Sequence, residues 1–175
     1  MNGRHVSPSR PLRSPILLGA IAGLAGGIAE VIWVGLYCTV AGSDGFDIAR
    51  QVAGTLAPVM SQAPYAPTVG LAIHFSLSIV LGIALVRPLM AVVRGRSAAL
   101  EPISLGLLAL IWAVNFLLVL PILNPAFPLL LPTWVSLASK LLFAAALAAV
   151  LRLGTRRPKP ATSKPFGQQA WLSAP

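Results

Sequence analysis

The chain has 175 residues, of which 57% are hydrophobic and only 10% are charged, with 13 Lys and Arg against 4 Asp and Glu. This composition excludes an ordinary soluble domain, and the mean hydropathy of +0.83 indicates an integral membrane protein. The single cysteine, Cys38, excludes an intramolecular disulfide and a Cys-X-X-Cys motif.

Four apolar segments are each long enough to cross a hydrocarbon core of about 30 Å, which takes ~20 helical residues. The predicted spans are residues 16–40, 68–90, 103–123 and 134–153. The first follows a basic N-terminus, but its apolar run exceeds the ~7–15 residues of a signal peptide, so we predict that it is retained. The predicted fold is an all-α integral membrane bundle of four transmembrane helices.

The cations cluster before the first span, between the second and third spans, and after the fourth span. They are Arg4, Arg10, Arg13, Arg87, Arg94, Arg96, Arg152, Arg156, Arg157, Lys159 and Lys164. By the positive-inside rule this pattern predicts four crossings with both termini in the cytoplasm and two loops on the outer side. The basic tails, residues 1–15 and 154–175, are too polar to form a core and face anionic lipid headgroups. Nucleic-acid binding is not expected, because no aromatic or Gly-rich binding module accompanies the charge.

The segment between the first two spans contains "FDIARQVAGTLAPV", in which apolar residues recur at helical spacing. Ser43 or Asp44 can cap its start, so we predict a short amphipathic helix that lies on the outer membrane surface. The segment between the last two spans, "LPILNPAFPLLLPTW", has four prolines and no charge. Prolines at this spacing predict an irregular apolar connection.

Each span also contains one strongly polar residue: Glu30, His74, Asn115 and Lys140. At a rise of 1.5 Å per residue, all four lie roughly 9–15 Å below the outer boundary. Ionisable groups inside a membrane usually face the bundle interior and pair with one another. We therefore predict an ion pair between Glu30 and Lys140, with His74 and Asn115 in the same polar layer.

Small residues share the faces of these polar groups. Ser78 follows His74 by one helical turn, and Ser136 precedes Lys140 by one turn. On the first span the residues on the Glu30 side are Gly19, Gly23 and Gly27. Glycines in such a row allow a second helix to approach closely, so they predict a helix packing face.

Three interpretations of the polar layer remain open at this point: interhelical hydrogen bonding, a ligand, proton or ion site, and contact with another membrane subunit. No catalytic, metal-binding or nucleotide-binding motif is present in the sequence, so no enzyme activity, metal or cofactor is expected. We predict a non-enzymatic accessory or structural subunit that acts through protein and lipid contacts. Its partners would be other membrane subunits or a second copy. The alternative is a small carrier or proton- or ion-conducting protein that uses Glu30, His74 and Lys140.

Short motifs also resemble the small YagU-like inner-membrane proteins. These are the Gly/Ala-rich first helix, "HFSLSIV" with His74 and Ser78, and a proline-rich turn that runs from Pro121 through Asn124 and Pro125 into "LPTWVS". The resemblance implies a four-helix integral membrane protein associated with bacterial survival in acid. It implies no biochemical activity, because a fold does not determine one.

Overall fold

The computed structural model describes residues 14–93 and 97–155, and every regular element within these two ranges is a helix. The five longer helices are α1 (Pro15–Ala41), α2 (Gly45–Gly54), α3 (Ala66–Val93), α4 (Leu100–Leu123) and α5 (Thr133–Thr155). Short 3-10 helices occur at Pro58–Gln62, Ser97–Ala99 and Phe127–Leu129. The prediction of four helices long and apolar enough to cross a membrane is confirmed by α1, α3, α4 and α5. This is the architecture of a multi-pass membrane protein. Most residues of the two predicted tails lie outside the described ranges.

Local sequence signals explain where α1 begins and ends. The Ser14 hydroxyl oxygen accepts a hydrogen bond from the Leu17 N–H at 3.4 Å, and Pro15 occupies the first turn. At the other end Gly42 has a φ of 67°, a left-handed conformation that favours glycine. The Gly42 N–H donates to the Cys38 carbonyl and thereby ends the helix.

Two prolines shape α4. The helix begins at Leu100, earlier than the predicted residue 103, because Pro102 lies in the first turn, where its missing N–H breaks no helical bond. Residues Asn115–Val119 form one π-helical turn, in which the Leu120 N–H donates to the Asn115 carbonyl. The chain then continues as an α-helix through Pro121 to Leu123.

Helix α1 lies between α3 and α5 and contacts both along its length. Its contact with α3 is made through backbone atoms. A Cβ atom added to Gly19 would lie 2.7 Å from the Cα of Ile83, and one added to Gly82 would lie 2.5 Å from the Cα of Gly23. Only glycine fits at such separations, so small residues determine how closely α1 and α3 approach.

The bundle has two ends, which differ in packing. The terminal end holds Pro15, Thr155 and the connection between α3 and α4, and the loop end holds α2 and the connection between α4 and α5. Near the terminal end, all four long helices contribute to one hydrophobic cluster. Its most buried large side chains include Leu89, Leu108, Phe143, Leu147 and Leu151. This cluster closes the bundle at the terminal end.

An aromatic group joins α1 to α5 at the loop end. The indole N–H of Trp33 donates to the Val135 carbonyl at 3.0 Å. The Trp134 ring meets the rings of Trp33 and Tyr37 edge-on, with centroid separations of 6.4 and 5.9 Å. Trp and Tyr are enriched where membrane helices reach the interface, so this group is in keeping with a membrane boundary at the loop end.

Helix α2 packs on the loop end of α3 and is hydrogen-bonded to the connection that follows α4. Ala49 and Ala53 are buried, and the Ala49 carbonyl lies so close to Gly70 of α3 that no Cβ fits between them. The side-chain amide of Asn124, the residue after α4, donates to the Gln51 carbonyl at 3.0 Å. Helix α2 is therefore held by close packing on α3 and by a hydrogen bond from the connection between α4 and α5.

The outward surface of the four long helices is apolar. Many large hydrophobic side chains are more than half exposed, and they occur on every long helix. Examples are Ile32, Leu36, Leu77, Val80, Leu110, Leu117, Leu118 and Leu153. A soluble protein rarely exposes such a surface, whereas lipid chains cover it without loss of hydrogen bonds.

Candidate functional site

Glu30 lies inside the bundle on the side of α1 that carries the glycines. Its residue surface is 4% exposed. It follows Gly23 by seven residues, which is within about 20° of two full helical turns. Because Gly23 contacts α3, the carboxylate of Glu30 also points toward the interior rather than toward lipid. A buried carboxylate needs a charged or hydrogen-bonding partner.

Lys140 of α5 supplies that partner. Its Nζ atom lies 2.6 Å from Oε1 of Glu30, a short charge-assisted contact. The same Nζ atom is 5.4 Å from the centroid of the Phe143 ring, close enough for a cation–π contact. The Lys140 side chain is 22% exposed. The ion pair thus joins α1 to α5 within the bundle.

His74 of α3 completes the layer on the opposite side of Glu30. Its Nε2 atom is 3.2 Å from the Gly27 carbonyl and 3.9 Å from Oε2 of Glu30. A carbonyl only accepts, so the hydrogen bond to Gly27 requires a proton on Nε2 and leaves Nδ1 free to accept when the ring is neutral. Oε2 is buried and has no hydrogen-bond partner among the described residues.

Two residues that sequence reasoning did not select belong to the same network. Ser139 lies 3.5 Å from Oε1 of Glu30, but its hydroxyl donates its single proton over 2.8 Å to the Ser136 carbonyl. The Ser136 hydroxyl in turn accepts from the indole N–H of Trp112 at 3.0 Å. A buried indole N–H needs a hydrogen-bond acceptor. That requirement is the sequence signal by which Trp112 could have been assigned to the network.

Of the predicted small residues, Ser78 and the three glycines lie between α1 and α3, whereas Ser136 lies on α5. Ser78 is buried, and a Cβ atom on Gly27 would lie 2.7 Å from its hydroxyl oxygen. Gly19 and Gly23 face Ile83 and Ser78. These residues set the separation of the two helices and thereby fix how far His74 reaches toward Glu30.

Asn115 does not join the other three polar residues. It is exposed, and its side chain forms no hydrogen bond with any of the described residues. The reason is the direction from which α4 meets α5. The buried row on α4 runs through Ser104, Leu108 and Phe116, and Trp112 of the same row, instead of Asn115, reaches α5.

The geometry supports charge compensation and hydrogen bonding within the bundle. Within residues 14–93 and 97–155, no three His, Cys, Asp or Glu side chains lie together as metal ligands would. The reactive groups of the layer are one compensated carboxylate, one ammonium group and one imidazole. They can hold helices together, accept a hydrogen bond at His74, or exchange a proton.

Comparisons with protein-family models, with curated proteins and with solved structures found no match for this chain. The resemblance to the YagU-like proteins therefore stays a prediction that rests on the quoted motifs.

Proposed function

We propose that this chain is a non-enzymatic accessory or structural subunit of a bacterial inner membrane, and that it acts through contacts with lipid and with other membrane helices. The observation that carries the proposal is the position of α4. This helix packs mainly on α5 and turns a broad apolar side away from the bundle, where Leu110 and Leu117 are 62% and 55% exposed. Such a side accepts either lipid or a helix of another subunit.

The ion pair supports a structural role for the interior. Glu30 and Lys140 compensate each other at 2.6 Å, so neither charge requires a transported ion for its burial. The paired charges therefore leave few polar groups of the layer free to bind a ligand. We infer that function lies mainly on the outward faces of the bundle.

The orientation in the membrane is proposed from the charges. Arg152 of α5 pairs with Glu101 of α4 at 3.0 Å near the terminal end, where most cations of the chain also lie. We propose that this end faces the cytoplasm and the anionic headgroups of the inner leaflet. Helix α2 then lies on the outer surface, with Phe46 of the helix and Leu56 just after it exposed toward the interface.

Reporter fusions test this orientation. A reporter fused after Pro175 or inserted between Arg94 and Ser97 should report the cytoplasm, because the flanking cations resist translocation. A reporter inserted at Gln62 should report the outer side. An outside signal after Pro175 would contradict the proposed orientation and the depth assigned to the polar layer.

Copurification tests the accessory role. The tagged chain, extracted in mild detergent, should carry a companion membrane protein at constant stoichiometry. Trp introduced at Leu110 and Leu117 overfills the outward side of α4, a change that typically costs ~1–3 kcal/mol, so recovery of the companion should fall roughly tenfold or more. The matched control is Val80→Trp on α3, since Val80 is 61% exposed on another helix.

Two outcomes would contradict the accessory role. One is recovery of the chain alone from several detergents. The other is proton or solute leakage through liposomes that contain only this chain, if His74→Ala abolishes the leakage. The second outcome would favour the alternative, a small carrier or conducting protein that uses Glu30, His74 and Lys140.

A further inference from the structure

An open cavity lies at the loop end of the bundle, on the polar side of α2. Its volume is about 440 Å³, within the range of small-molecule sites in proteins. Helix α2, the 3-10 helix at Pro58–Gln62 and the connection between α4 and α5 form its walls. The residues that line it are Asp47, Arg50, Gln51, Ser61, Gln62 and Leu130. Five of these six are polar in a chain that is 57% hydrophobic, so the cavity suits a polar ligand.

Contacts between α2 and the 3-10 helix fix the walls of the cavity. A Cβ atom added to Gly54, at the end of α2, would lie 3.1 Å from the Cβ of Ser61, so the two segments lie directly against each other. Just beyond the 3-10 helix, the Ala63 carbonyl accepts a hydrogen bond from the Arg50 guanidinium at 3.4 Å. The walls are therefore in place before a ligand binds, which reduces the entropy cost of binding.

Two of the lining residues supply hydrogen-bond donors. Oε1 of Gln51 accepts from the amide of the buried Asn124 at 3.1 Å, which leaves the Gln51 amide nitrogen to donate. Among the described residues, the Arg50 guanidinium donates to the Ala63 carbonyl alone, so most of its N–H groups remain available. An arginine with free N–H groups is a strong partner for a phosphate or a carboxylate.

Two other lining residues supply acceptors. The Ser61 hydroxyl donates its proton to the Pro58 carbonyl at 2.8 Å, so its oxygen is left only to accept. Oδ1 of Asp47 lies 3.9 Å from Nε of Arg50, which is beyond hydrogen-bond distance, so the carboxylate also remains available. A primary ammonium group only donates and therefore suits both oxygens. Asp47 and Arg50 together favour a ligand that carries one charge of each sign.

We propose that this cavity binds a phosphoethanolamine group, with the phosphate at Arg50 and Gln51 and the ammonium group at Asp47 and Ser61. A phosphocholine group fits less well, because its quaternary ammonium donates no hydrogen bond. Such a group is usually held by aromatic rings, and the residues that line this cavity in the described part of the chain include none.

The position of the cavity favours a phospholipid headgroup over soluble phosphoethanolamine as the source of this group. The aromatic residues Trp33, Tyr37 and Trp134 lie at the same end of the bundle, as they would at the level of headgroups. The lining residues given above lie outside α4. The proposal therefore goes beyond the accessory role and needs no companion protein.

Titration of the purified full-length chain in detergent tests the proposal. The first two probes are phospholipids with the same short acyl chains, one with an ethanolamine and one with a choline headgroup. The dissociation constant of the ethanolamine lipid should be roughly tenfold lower, the ratio expected for one hydrogen bond between charged groups. The third probe is free phosphoethanolamine. Displacement of the ethanolamine lipid only by a large excess would support the headgroup, and displacement at a similar concentration would support the same site with a soluble ligand.

Two variants separate the halves of the ligand. Asp47→Asn removes the partner of the ammonium group and should abolish the preference for ethanolamine with little change in affinity for the choline lipid. Its stability should not change, because the Asp47 side chain is 62% exposed. Arg50→Gln removes the partner of the phosphate and should weaken the binding of both lipids roughly tenfold.

Asp44→Asn is the matched control for Asp47→Asn. It removes the same charge at the start of the same helix, but Asp44 is not one of the lining residues. Its side chain caps α2 by accepting from the Phe46 N–H at 2.8 Å, and asparagine caps a helix equally well, so the preference for ethanolamine should persist. Equal affinity of the parent chain for the two lipids would overturn the proposal. A preference that survives Asp47→Asn, or that Asp44→Asn lowers as much, would also overturn it.

Discussion

Glu30→Gln and Lys140→Met are each expected to lower the stability of the bundle by about 3–5 kcal/mol, because each change leaves the other charge buried without its partner. The Lys140 Nζ atom and the Glu30 Oε1 atom lie 2.6 Å apart, and Glu30 is 4% exposed. The combined variant removes both charges and should recover most of the loss, which gives a large coupling term. Thermal unfolding in detergent of the four proteins of this cycle measures the term.

The ion pair between Glu101 and Arg152 provides the control cycle. Its two side chains are 48% and 33% exposed, so solvent screens the interaction and its removal should cost no more than ~1 kcal/mol. If the combined variant loses as much stability as the two single variants together, the charges of Glu30 and Lys140 do not interact. A combined variant that is stable and still binds its companion protein would assign the pair to structure alone.

Gly82→Ala is expected to force α1 and α3 apart. The added methyl carbon would lie 2.5 Å from the Cα and the N of Gly23, and backbone atoms cannot move aside as a flexible side chain can. Overpacking of this kind typically costs ~1–3 kcal/mol. Unfolding of Gly82→Ala in detergent should therefore begin at a distinctly lower temperature than that of the parent protein.

Gly35→Ala makes the matched comparison, because no heavy atom lies within 4 Å of the Cβ that it would add to α1. Alanine favours a helix over glycine by roughly 0.5–1 kcal/mol in water, so this variant should be as stable as the parent or slightly more stable. Equal losses for Gly82→Ala and Gly35→Ala would mean that general helix effects, rather than the contact between α1 and α3, determine the result.

Hydropathy was sufficient to predict the four long helices, because a membrane span leaves a continuous apolar run in the sequence. Their ends were less predictable. The predicted third span begins at residue 103, but the helix begins at Leu100, because a proline such as Pro102 is compatible with the first turn of a helix. The length of an apolar run does not show whether a proline at its start precedes the helix or lies in its first turn.

The polar layer illustrates a second limit. Depth along each helix selected Glu30, His74 and Lys140, which lie together in the structure. Depth also selected Asn115, which is exposed and lies apart from them, because the rotation of α4 about its own axis turns Trp112 rather than Asn115 toward α5. That rotation arises from packing between distant segments, and a single sequence does not reveal it.

The pairing of α1 with α5 also bears on how the protein is made. Glu30 leaves the ribosome with the first span, while Lys140 belongs to the last one, so at common synthesis rates the carboxylate waits on the order of ten seconds for its partner. Until then α1 carries a charge into the bilayer that costs about 3 kcal/mol against insertion, and only its long apolar run compensates for it. His74 arrives earlier, with α3, and can shield the carboxylate in the interval. A nascent chain that ends before α5 would therefore keep the Glu30 carboxylate in the membrane without Lys140, and membrane quality control would meet this unpaired charge.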